Sequence, residues 1–352
     1  MRCCENCFTD KVLRGLAFKN STETGNCSYC NSINVKVVDP EGLAEIFLPL
    51  IEIYEIDRET SEESSESDFI QNKLQNDWDI FNKRLSPDIQ NKILNDIFSR
   101  SDYIDKSVFD KKVVLQPRIL EDDLSEYLEE EWYRFKNEII YNNRFFLGEN
   151  INLVRLRDSF QFLQKIYEKD EKFYRARISN KDGHPKDKMT KPPAEKSPSG
   201  RANPEGIPYL YLSRDIKTVI YECRAIHLDY VTIAHFDVKE ELKVVQLSKI
   251  ENVSPFQFGD ELPTYLKTKK YLKRLEEELS KPLRRNDNII DYLPTQYLCE
   301  YVKSLGYDAI EYGSSLHSEG VNLAVFNDQK LKPKNTQVHE VLSFDLETKV
   351  VE

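Results

Sequence analysis

The sequence predicts an α+β protein that begins with a small cysteine-rich module, continues as a helical domain and ends in a domain where a mixed β-sheet carries a few helices. Three observations lead to this prediction. Five of the seven cysteines lie within the first thirty residues, apolar residues recur at helical spacing up to residue 146, and short runs rich in Tyr, Val, Ile and Phe begin at Phe173. A chain of 352 residues is long enough for about two domains.

The overall charge limits the partners. Lys and Arg number 50 and Asp and Glu number 61, so the formal net charge is −11. This balance disfavours a protein that coats nucleic acid or an anionic membrane through bulk charge. The longest strongly apolar run, 46–51, is too short to cross a bilayer, and the N-terminus lacks the apolar core of a secretory signal. We therefore expect a cytoplasmic protein that does not associate with membranes.

The cysteine-rich module has the spacing of a metal site. Cys4-x2-Cys7 and Cys27-x2-Cys30 are separated by nineteen residues, an arrangement in which four thiolates bind tetrahedral zinc. Because protein would fill all four positions, the spacing predicts structural rather than catalytic zinc. Cys3 is an alternative ligand to Cys4, and a set of reduced free thiols is the alternative to a metal site.

The helical domain is predicted from a stripe of large apolar side chains. Spacings of four, three, four and seven residues place them on one face of a helix, and they are Leu128, Trp132, Phe135, Ile139 and Phe146. We expect this face to lie in the core rather than to bind a partner. Residues 55–68 are mostly acid and Ser and predict an exposed loop.

After residue 172 the pattern changes to short strands. Runs of β-branched and aromatic residues bounded by Gly, Pro or Asp predict strands at 173–178, 209–212, 230–236, 244–247, 309–312 and 321–326. A long loop rich in Pro, Gly and Lys follows the first strand, and helices are predicted at 215–226, with Ser213 as its cap, at 262–283 and at 295–305. The predicted divisions are the cysteine module at 1–38, the helical domain at 39–169, the strand-rich domain at 170–335 and a C-terminal tail at 336–352.

Common catalytic motifs are missing from the sequence. It contains no Walker loop, GxGxxG, HExxH or GxSxG, so the usual nucleotide-hydrolase, Rossmann, zincin and α/β-hydrolase chemistries are excluded. All the histidines lie after residue 180, so the N-terminal half has no histidine base and we expect it to regulate or sense. His235 lies in a predicted strand and is expected to be a hydrogen-bonded core residue, whereas His184 and His317 lie in loops where they could contact a ligand.

Three arginines form a local cluster in this acidic chain. Arg175 and Arg177 alternate by two on one predicted strand, so both point to the same face of the sheet, and Arg201 follows a glycine in the loop before the next strand. Guanidinium groups on one face repel unless an anion or a carboxylate lies between them. The cluster therefore favours a small phosphorylated ligand held by forked contacts, with surface arginines in ordinary ion pairs as the alternative.

Motifs in a fixed order carry a resemblance to a known family. They are FYRAR at 173–177, GRANPEGIPYLYLS at 200–213, TVIYE at 218–222, and YGS at 312–314 followed by GVNLAVF at 320–326. Together they resemble the RES domain, a family named for its Arg, Glu and Ser, over residues 170–330. The resemblance implies a fold like that of ADP-ribosyltransferases and a toxin or phage-defence effector that acts on NAD⁺, often held inactive by an antitoxin.

The resemblance also implies roles for individual residues. Catalysis is assigned to Arg175, Glu222 and Ser314, and NAD⁺ binding to Arg177, Arg201, Tyr211 and Asn322. Ser315 is the alternative to the neighbouring family Ser. The expected reaction is cleavage of the nicotinamide–ribose bond of NAD⁺ by water or phosphate. The alternatives are ADP-ribosyl transfer to a protein or nucleic acid, and a zinc-ribbon module that binds nucleotide or nucleic acid without catalysis.

The N-terminal half carries a second resemblance. A cysteine knuckle followed by helices without a catalytic histidine resembles the HEPN/RES N-terminal domain that precedes some RES domains. Two stretches, 181–199 and 250–290, are longer than in short RES toxins, so we expect inserted elements to cover part of the pocket. Besides NAD⁺, the expected partners are an antitoxin or another regulatory protein, and self-association into a homo-oligomer stays open.

Overall fold

A computed structural model describes residues 1–19, 21–57, 67–120, 124–148, 151–281 and 288–343. These residues form both helices and strands. Both kinds of element occur in each half of the sequence, which confirms the predicted α+β class. The residues form two compact units, Met1–Ser125 with Glu251–Lys269, and Glu126–Ile250 with Lys270–Glu352. None of the described helices is long and apolar enough to cross a membrane.

The first unit is built from short strands and helices. Its strands are β1 (Cys3–Cys4), β2 (Thr24–Gly25), β3 (Val35–Val38), β4 (Tyr54–Ile56), β5 (Asp68–Phe69) and β6 (Lys112–Leu115). Its helices are α1 (Lys11–Phe18), α2 (Ala44–Ile51), α3 (Ile70–Trp78), α4 (Pro87–Ile97) and α5 (Pro117–Leu120). The strands form two antiparallel sheets, ordered β1-β3-β2 and β4-β6-β5. The region predicted as helical thus also contains a sheet, whose strands are too short to show an alternating pattern.

Aromatic side chains fill the core of this unit. Phe8 packs against Phe18, Phe47 and Phe81 with ring centroids 5.8 to 6.2 Å apart, and all four are almost inaccessible to water. Burying one such side chain contributes about 1.5–3 kcal/mol. Because Phe8 directly follows Cys7, this packing anchors the cysteine module through apolar contacts.

The second unit contains an eight-stranded sheet. Its strands are β7 (Gln164–Tyr167), β8 (Lys172–Ser179), β9 (Leu210–Ser213), β10 (Tyr230–Val238), β11 (Leu242–Gln246), β12 (Ala309–Gly313), β13 (Val321–Val325) and β14 (Leu331–Glu340). The order is β14-β10-β8-β9-β13-β12-β11-β7, and the pairs are antiparallel except for the parallel pair β11 and β12. The helices from residue 124 onward are α6 (Leu124–Asn137), α7 (Leu153–Phe162), α8 (Ile216–Glu222), α9 (Leu262–Ser280) and α10 (Leu293–Ser304).

All six predicted strands are present, but the sheet is wider than predicted. Residues 336–340, predicted to be a tail, belong to β14, which pairs with β10 from Leu331 opposite Val238 to Glu340 opposite Tyr230. This strand reads LKPKNTQVHE and lies at the edge of the sheet. An edge strand can be largely polar because one side faces water, so it lacks the apolar signal used for prediction.

Two local predictions need correction. Helix α8 is capped by Asp215, whose side chain accepts a 2.7 Å hydrogen bond from the Thr218 amide, and not by Ser213. In the predicted apolar stripe, Trp132, Phe135 and Ile139 are buried but Phe146 is 87% exposed. Helix α6 ends at Asn137 and a single π-turn runs to Asn142, so the helical spacing no longer applies at residue 146. The side chain of Leu128, and residues 58–66 of the predicted acidic loop, lie outside the described residues.

Candidate active site

A cleft of about 410 Å³ opens where strands β8 and β9 separate. These antiparallel strands pair at Tyr174 and Ser213. The next residues along each strand line the cleft, namely Arg175 and Ala176 on β8 and Leu212 and Tyr211 on β9. Five of the predicted site residues meet in this lining: Arg175, Arg201, Tyr211, Glu222 and Asn322. The fold therefore brings together residues that are almost 150 positions apart in the sequence.

The arginines of the cleft have no acidic partner in the part of the chain that the structure describes. Arg175 Nη1 donates to the Thr190 carbonyl at 2.8 Å, and Arg201 Nη1 donates to the Leu279 carbonyl at 2.8 Å. Within the described ranges, neither guanidinium forms an ion pair with a carboxylate, and the buried Arg201 Nε has no hydrogen-bond partner. Forked cations without a counter-charge are suited to an anionic ligand.

The lowered pKa of Arg175 also favours an anionic ligand. Burial lowers the pKa of Arg175 to about 10, and the nearby Arg177 adds to this shift. An anion beside the group would favour its charged form and reverse the shift. Arg177 itself is exposed, donates to the Lys188 carbonyl at 2.7 Å and is not among the residues that line the cleft. It therefore acts on the cleft through its charge.

Glu222, the last residue of α8, is fixed by two short hydrogen bonds. Ser314 Oγ and Asn322 Nδ2 each donate to Glu222 Oε1 at 2.6 Å. Ser314 and Asn322 are buried, whereas Glu222 is exposed. No described residue donates a hydrogen bond to Glu222 Oε2. One carboxylate oxygen is thus held by the protein, and the other is accessible to a ligand.

The turn after β12 fixes Ser314 next to α8. The Ser314 amide donates to the Gly320 carbonyl at 2.8 Å, and the His317 amide donates to Ser314 Oγ at 3.2 Å. His317 Nδ1 lies 2.8 Å from Thr218 Oγ1 on α8. A Cβ at Gly320 would lie 2.6 Å from Thr218 Oγ1. Only glycine therefore allows this close approach, which connects the turn to the helix that carries Glu222.

A second turn, before β9, holds Tyr211 and Arg201. The Tyr211 hydroxyl donates to Asn203 Oδ1 at 2.7 Å, and burial raises the pKa of Tyr211, so the hydroxyl stays protonated. Gln296 Nε2 of α10 donates to the carbonyls of Gly200 at 2.7 Å and Asn203 at 3.1 Å. A Cβ at Gly200 would clash with Asn203 Oδ1 and lie 2.9 Å from the Tyr211 hydroxyl oxygen. The turn thus requires glycine at this position.

Some residues of the site were not singled out from the sequence. The ring of Tyr312 is buried and lines the cleft, and burial raises its pKa well above the ordinary value. Asn203 and Gln296 hold the turn that carries Arg201. Gln296 is buried, and a buried amide must find hydrogen-bond partners. Its burial follows from tertiary packing, so the sequence offers no local signal for it.

The histidines differ from expectation. His235 Nε2 is buried without a hydrogen-bond partner among the residues described, so the prediction of a hydrogen-bonded core histidine is wrong for this atom. Its ring packs edge-on against Tyr174 at a centroid distance of 5.0 Å. His184 Nε2 lies 3.0 Å from the Ile178 carbonyl. The described lining of the cleft contains no histidine.

Four sulfur atoms lie close together in the first unit. The Sγ atoms of Cys4, Cys7, Cys27 and Cys30 are all within 4.8 Å of one another. Hydrogen bonds from Cys4 and Cys7 lower the pKa of Cys27, while the contacts with Cys27 raise the pKa of both partners. The four thiols therefore cannot all ionise unless a cation lies among them, so the donor set fits a thiolate-bound metal. Cys3 precedes this cluster and is not part of it.

Comparison with known proteins identifies both halves of the chain. Residues 172–346 match the RES domain, and residues 20–152 match HEPN/RES N-terminal domain 1. None of the curated proteins compared matches the chain. Among solved structures, a chain of the M. tuberculosis MbcT-MbcA toxin-antitoxin complex is similar at 14% sequence identity and a TM-score of 0.35, over 53% of this chain and 92% of that chain.

The two domain matches define a protein in which a RES domain follows a HEPN/RES N-terminal domain. The chain thus belongs to the RES domain family, which the order of its sequence motifs predicted. At the level of the family, the RES domain supports an NAD-related toxin.

Proposed function

We propose that the RES domain cleaves the bond between nicotinamide and ribose in NAD⁺. The observation that carries this proposal is the presence in one cleft of a carboxylate held through one oxygen, Glu222, and of two guanidiniums that have no acidic partner among the described residues, Arg175 and Arg201. A dinucleotide offers the complementary groups: ribose hydroxyls for the carboxylate and a pyrophosphate for the arginines.

Cleavage of this bond requires little acid–base catalysis by the protein. The nicotinamide ring is already cationic and leaves as a neutral molecule without a general acid, while positive charge develops on the ribose in an oxocarbenium-like transition state. Glu222 would stabilise that charge. Because Ser314 and Asn322 orient the carboxylate beforehand, it needs little reorganisation during the reaction.

The remaining cleft residues would bind the ends of the dinucleotide. Arg175 and Arg201 would hold the pyrophosphate through their free N–H groups. The rings of Tyr211 and Tyr312 line the same cleft and would pack against a base of the dinucleotide. Since Glu222 is exposed to solvent, water or phosphate can reach the ribose without a partner protein. Because water and phosphate need no docking surface for a macromolecule, a small acceptor is the one we propose.

The test is a product balance on NAD⁺ labelled in its adenosine half. We expect the purified full chain to release nicotinamide in equal amount to ADP-ribose or its 1-phosphate. Glu319→Gln, a change at an exposed acid near the site, serves as the matched control for Glu222→Gln. Label transferred to a macromolecule would instead indicate ADP-ribosyl transfer. Intact NAD⁺ with no labelled macromolecule would contradict both enzymatic readings and favour a module that only binds nucleotide.

We further propose that the four-cysteine cluster binds one structural zinc ion. An all-sulfur donor set suits zinc in a closed tetrahedral site, where no position remains for an activated water. The role of the ion would be to hold the first thirty residues together rather than to take part in the chemistry at Glu222. An antitoxin or another regulatory protein is the proposed partner, on the strength of membership of the RES domain family.

A further inference from the structure

The last turn of α9 contacts two sides of the cleft. Glu276 Oε1 accepts a hydrogen bond from the Gly313 amide at 3.0 Å. Three residues later, the Leu279 carbonyl accepts the 2.8 Å hydrogen bond from Arg201 Nη1. One helical turn therefore touches both the arginine that lines the cleft and the residue that directly precedes Ser314. None of the described α9 residues lines the cleft itself.

We propose that Glu276 is a positioning residue of the active site. Together with Leu279 and Ser280 it forms what we call the α9 brace, which fixes the distance between the group that binds the pyrophosphate and the serine that orients Glu222. The proposal rests on the proposed cleavage of NAD⁺. It assigns a role to the long stretch after residue 250, which was expected to cover the pocket.

On the serine side, the α9 brace acts through the backbone of Gly313. The next residue, Ser314, donates to Glu222 Oε1, so a shift of the Gly313 amide moves the donor that orients the carboxylate. Ser280 Oγ also donates to Glu276 Oε1, at 2.7 Å, which restricts the side chain of Glu276. A Cβ at Gly313 would lie 2.7 Å from Glu276 Oε1. Glycine thus permits the close approach of carboxylate and backbone.

On the arginine side, the α9 brace acts through a helix end. Leu279 is among the last four residues of α9, whose carbonyls have no partner within the helix and carry partial negative charge. Arg201 satisfies the Leu279 carbonyl, while the Arg201 carbonyl accepts a 2.7 Å hydrogen bond from Thr295 Oγ1. Among the described residues, the guanidinium is therefore placed by a carbonyl and not by a carboxylate, so its charge is not neutralised before the ligand binds.

Kinetics of three variants of the full chain test the proposal. Glu276→Ala is expected to lower kcat for nicotinamide release about 10-fold with little change in KM for NAD⁺, because a misplaced catalytic group affects the transition state more than substrate binding. Glu276→Gln keeps an acceptor oxygen for the Gly313 amide and is expected to restore kcat. Glu277→Ala, which removes the neighbouring exposed acid that pairs with Arg274, is the matched control.

Hydrogen exchange over residues 312–316 provides a readout independent of activity. The Gly313 amide is expected to exchange faster in Glu276→Ala than in wild type or Glu276→Gln. If wild type releases no nicotinamide, the proposed function fails, while the exchange rates still decide whether the α9 brace exists. Unchanged exchange in Glu276→Ala, wild-type kcat in that variant, or an equal loss in Glu276→Gln would each overturn the positioning role.

Discussion

Ser314 Oγ donates a 2.6 Å hydrogen bond to Glu222 Oε1. The two side chains come from separate elements, the turn after β12 and the C-terminal end of α8. Asn322 of β13 donates to the same oxygen at the same distance. Three segments of the chain thus converge on one carboxylate, which is the arrangement expected where a charge must be held in place before a substrate binds.

Ser314→Ala should show which of the two candidate serines, Ser314 or Ser315, orients Glu222. It removes one of two donors to Glu222 Oε1, so we expect kcat for nicotinamide release to fall roughly 10- to 100-fold, the effect of one hydrogen bond to a charged group. Ser315→Ala is the comparison, because Ser315 is exposed and lines the cleft without a hydrogen bond to Glu222. Equal losses in the two variants would contradict the assignment of Ser314.

Asn322→Asp should make the reaction depend on pH in a defined direction. The introduced carboxyl lies against Glu222, and like charges this close raise the pKa of one of the pair. Above that raised pKa the two carboxylates repel, and below it a shared proton restores a donor to Glu222. We expect the ratio of kcat/KM in the variant to that in wild type to rise as pH is lowered from about 8 to 5. A ratio independent of pH would show that the two groups do not interact.

Arg175→Met should abolish stabilisation by ligand without lowering the stability of the ligand-free protein. Burial lowers the pKa of Arg175 from its ordinary value to about 10. A base whose pKa is lowered in the folded state opposes folding wherever both states are protonated, which here means below about pH 10. This penalty fades as the pH rises above about 10 towards the ordinary pKa of arginine. At neutral pH the ligand-free variant should therefore unfold at no lower a temperature than wild type.

Thermal unfolding with and without ADP-ribose measures both effects of Arg175→Met. ADP-ribose should raise the Tm of wild type, since it binds only the folded state, but not that of the variant. Equal stabilisation of both proteins by ADP-ribose would mean that Arg175 does not contact the pyrophosphate.

Gly200→Ala should weaken NAD⁺ binding rather than catalysis. A Cβ there would push on Asn203 and on the Tyr211 hydroxyl, displacing the turn that carries Arg201. We expect KM for NAD⁺ to rise about 10-fold, equivalent to a loss of roughly 1.4 kcal/mol of binding free energy, with kcat less affected. Gly42→Ala is the control, because a Cβ at Gly42 would meet no atom within 4 Å. A fall in kcat with unchanged KM would contradict this role of the turn.

Metal analysis should find one zinc ion per chain. Cys27→Ser removes a sulfur from the cluster and should lose the metal, whereas Cys3→Ser should keep it, since Cys3 lies outside the cluster. Removal of the metal by a chelator should increase hydrogen exchange over residues 1–38. Full metal content in Cys27→Ser, or its loss in Cys3→Ser, would refute the assigned ligand set.

Much of the sheet and the site could be predicted from sequence because their signals are local. The strands that carry Arg175 and Asn322 are short runs with aromatic or branched aliphatic residues, and the site residues lie in recognisable motifs. The four cysteines are also specified by spacing alone. These features depend on neighbouring residues, so one sequence is enough to reveal them.

What escaped prediction depends on tertiary packing. Strand β14 can be polar because it lies at the edge of the sheet. Phe146 is exposed, unlike the buried residues of the predicted apolar face, because α6 ends before it. Arg177 shares a sheet face with Arg175 but lies outside the cleft, which strand alternation cannot reveal. Glu276 reaches Gly313 from 37 positions away in the sequence, across a contact that no local pattern encodes.

The most direct measurement compares NAD⁺ binding and nicotinamide release in wild type and Glu222→Gln. Since Glu222 is proposed to act on the transition state, the variant should bind NAD⁺ with the Kd of wild type and release nicotinamide at least about 10²-fold more slowly. Release of nicotinamide by Glu222→Gln at the wild-type rate would contradict the assignment of this cleft as the catalytic centre.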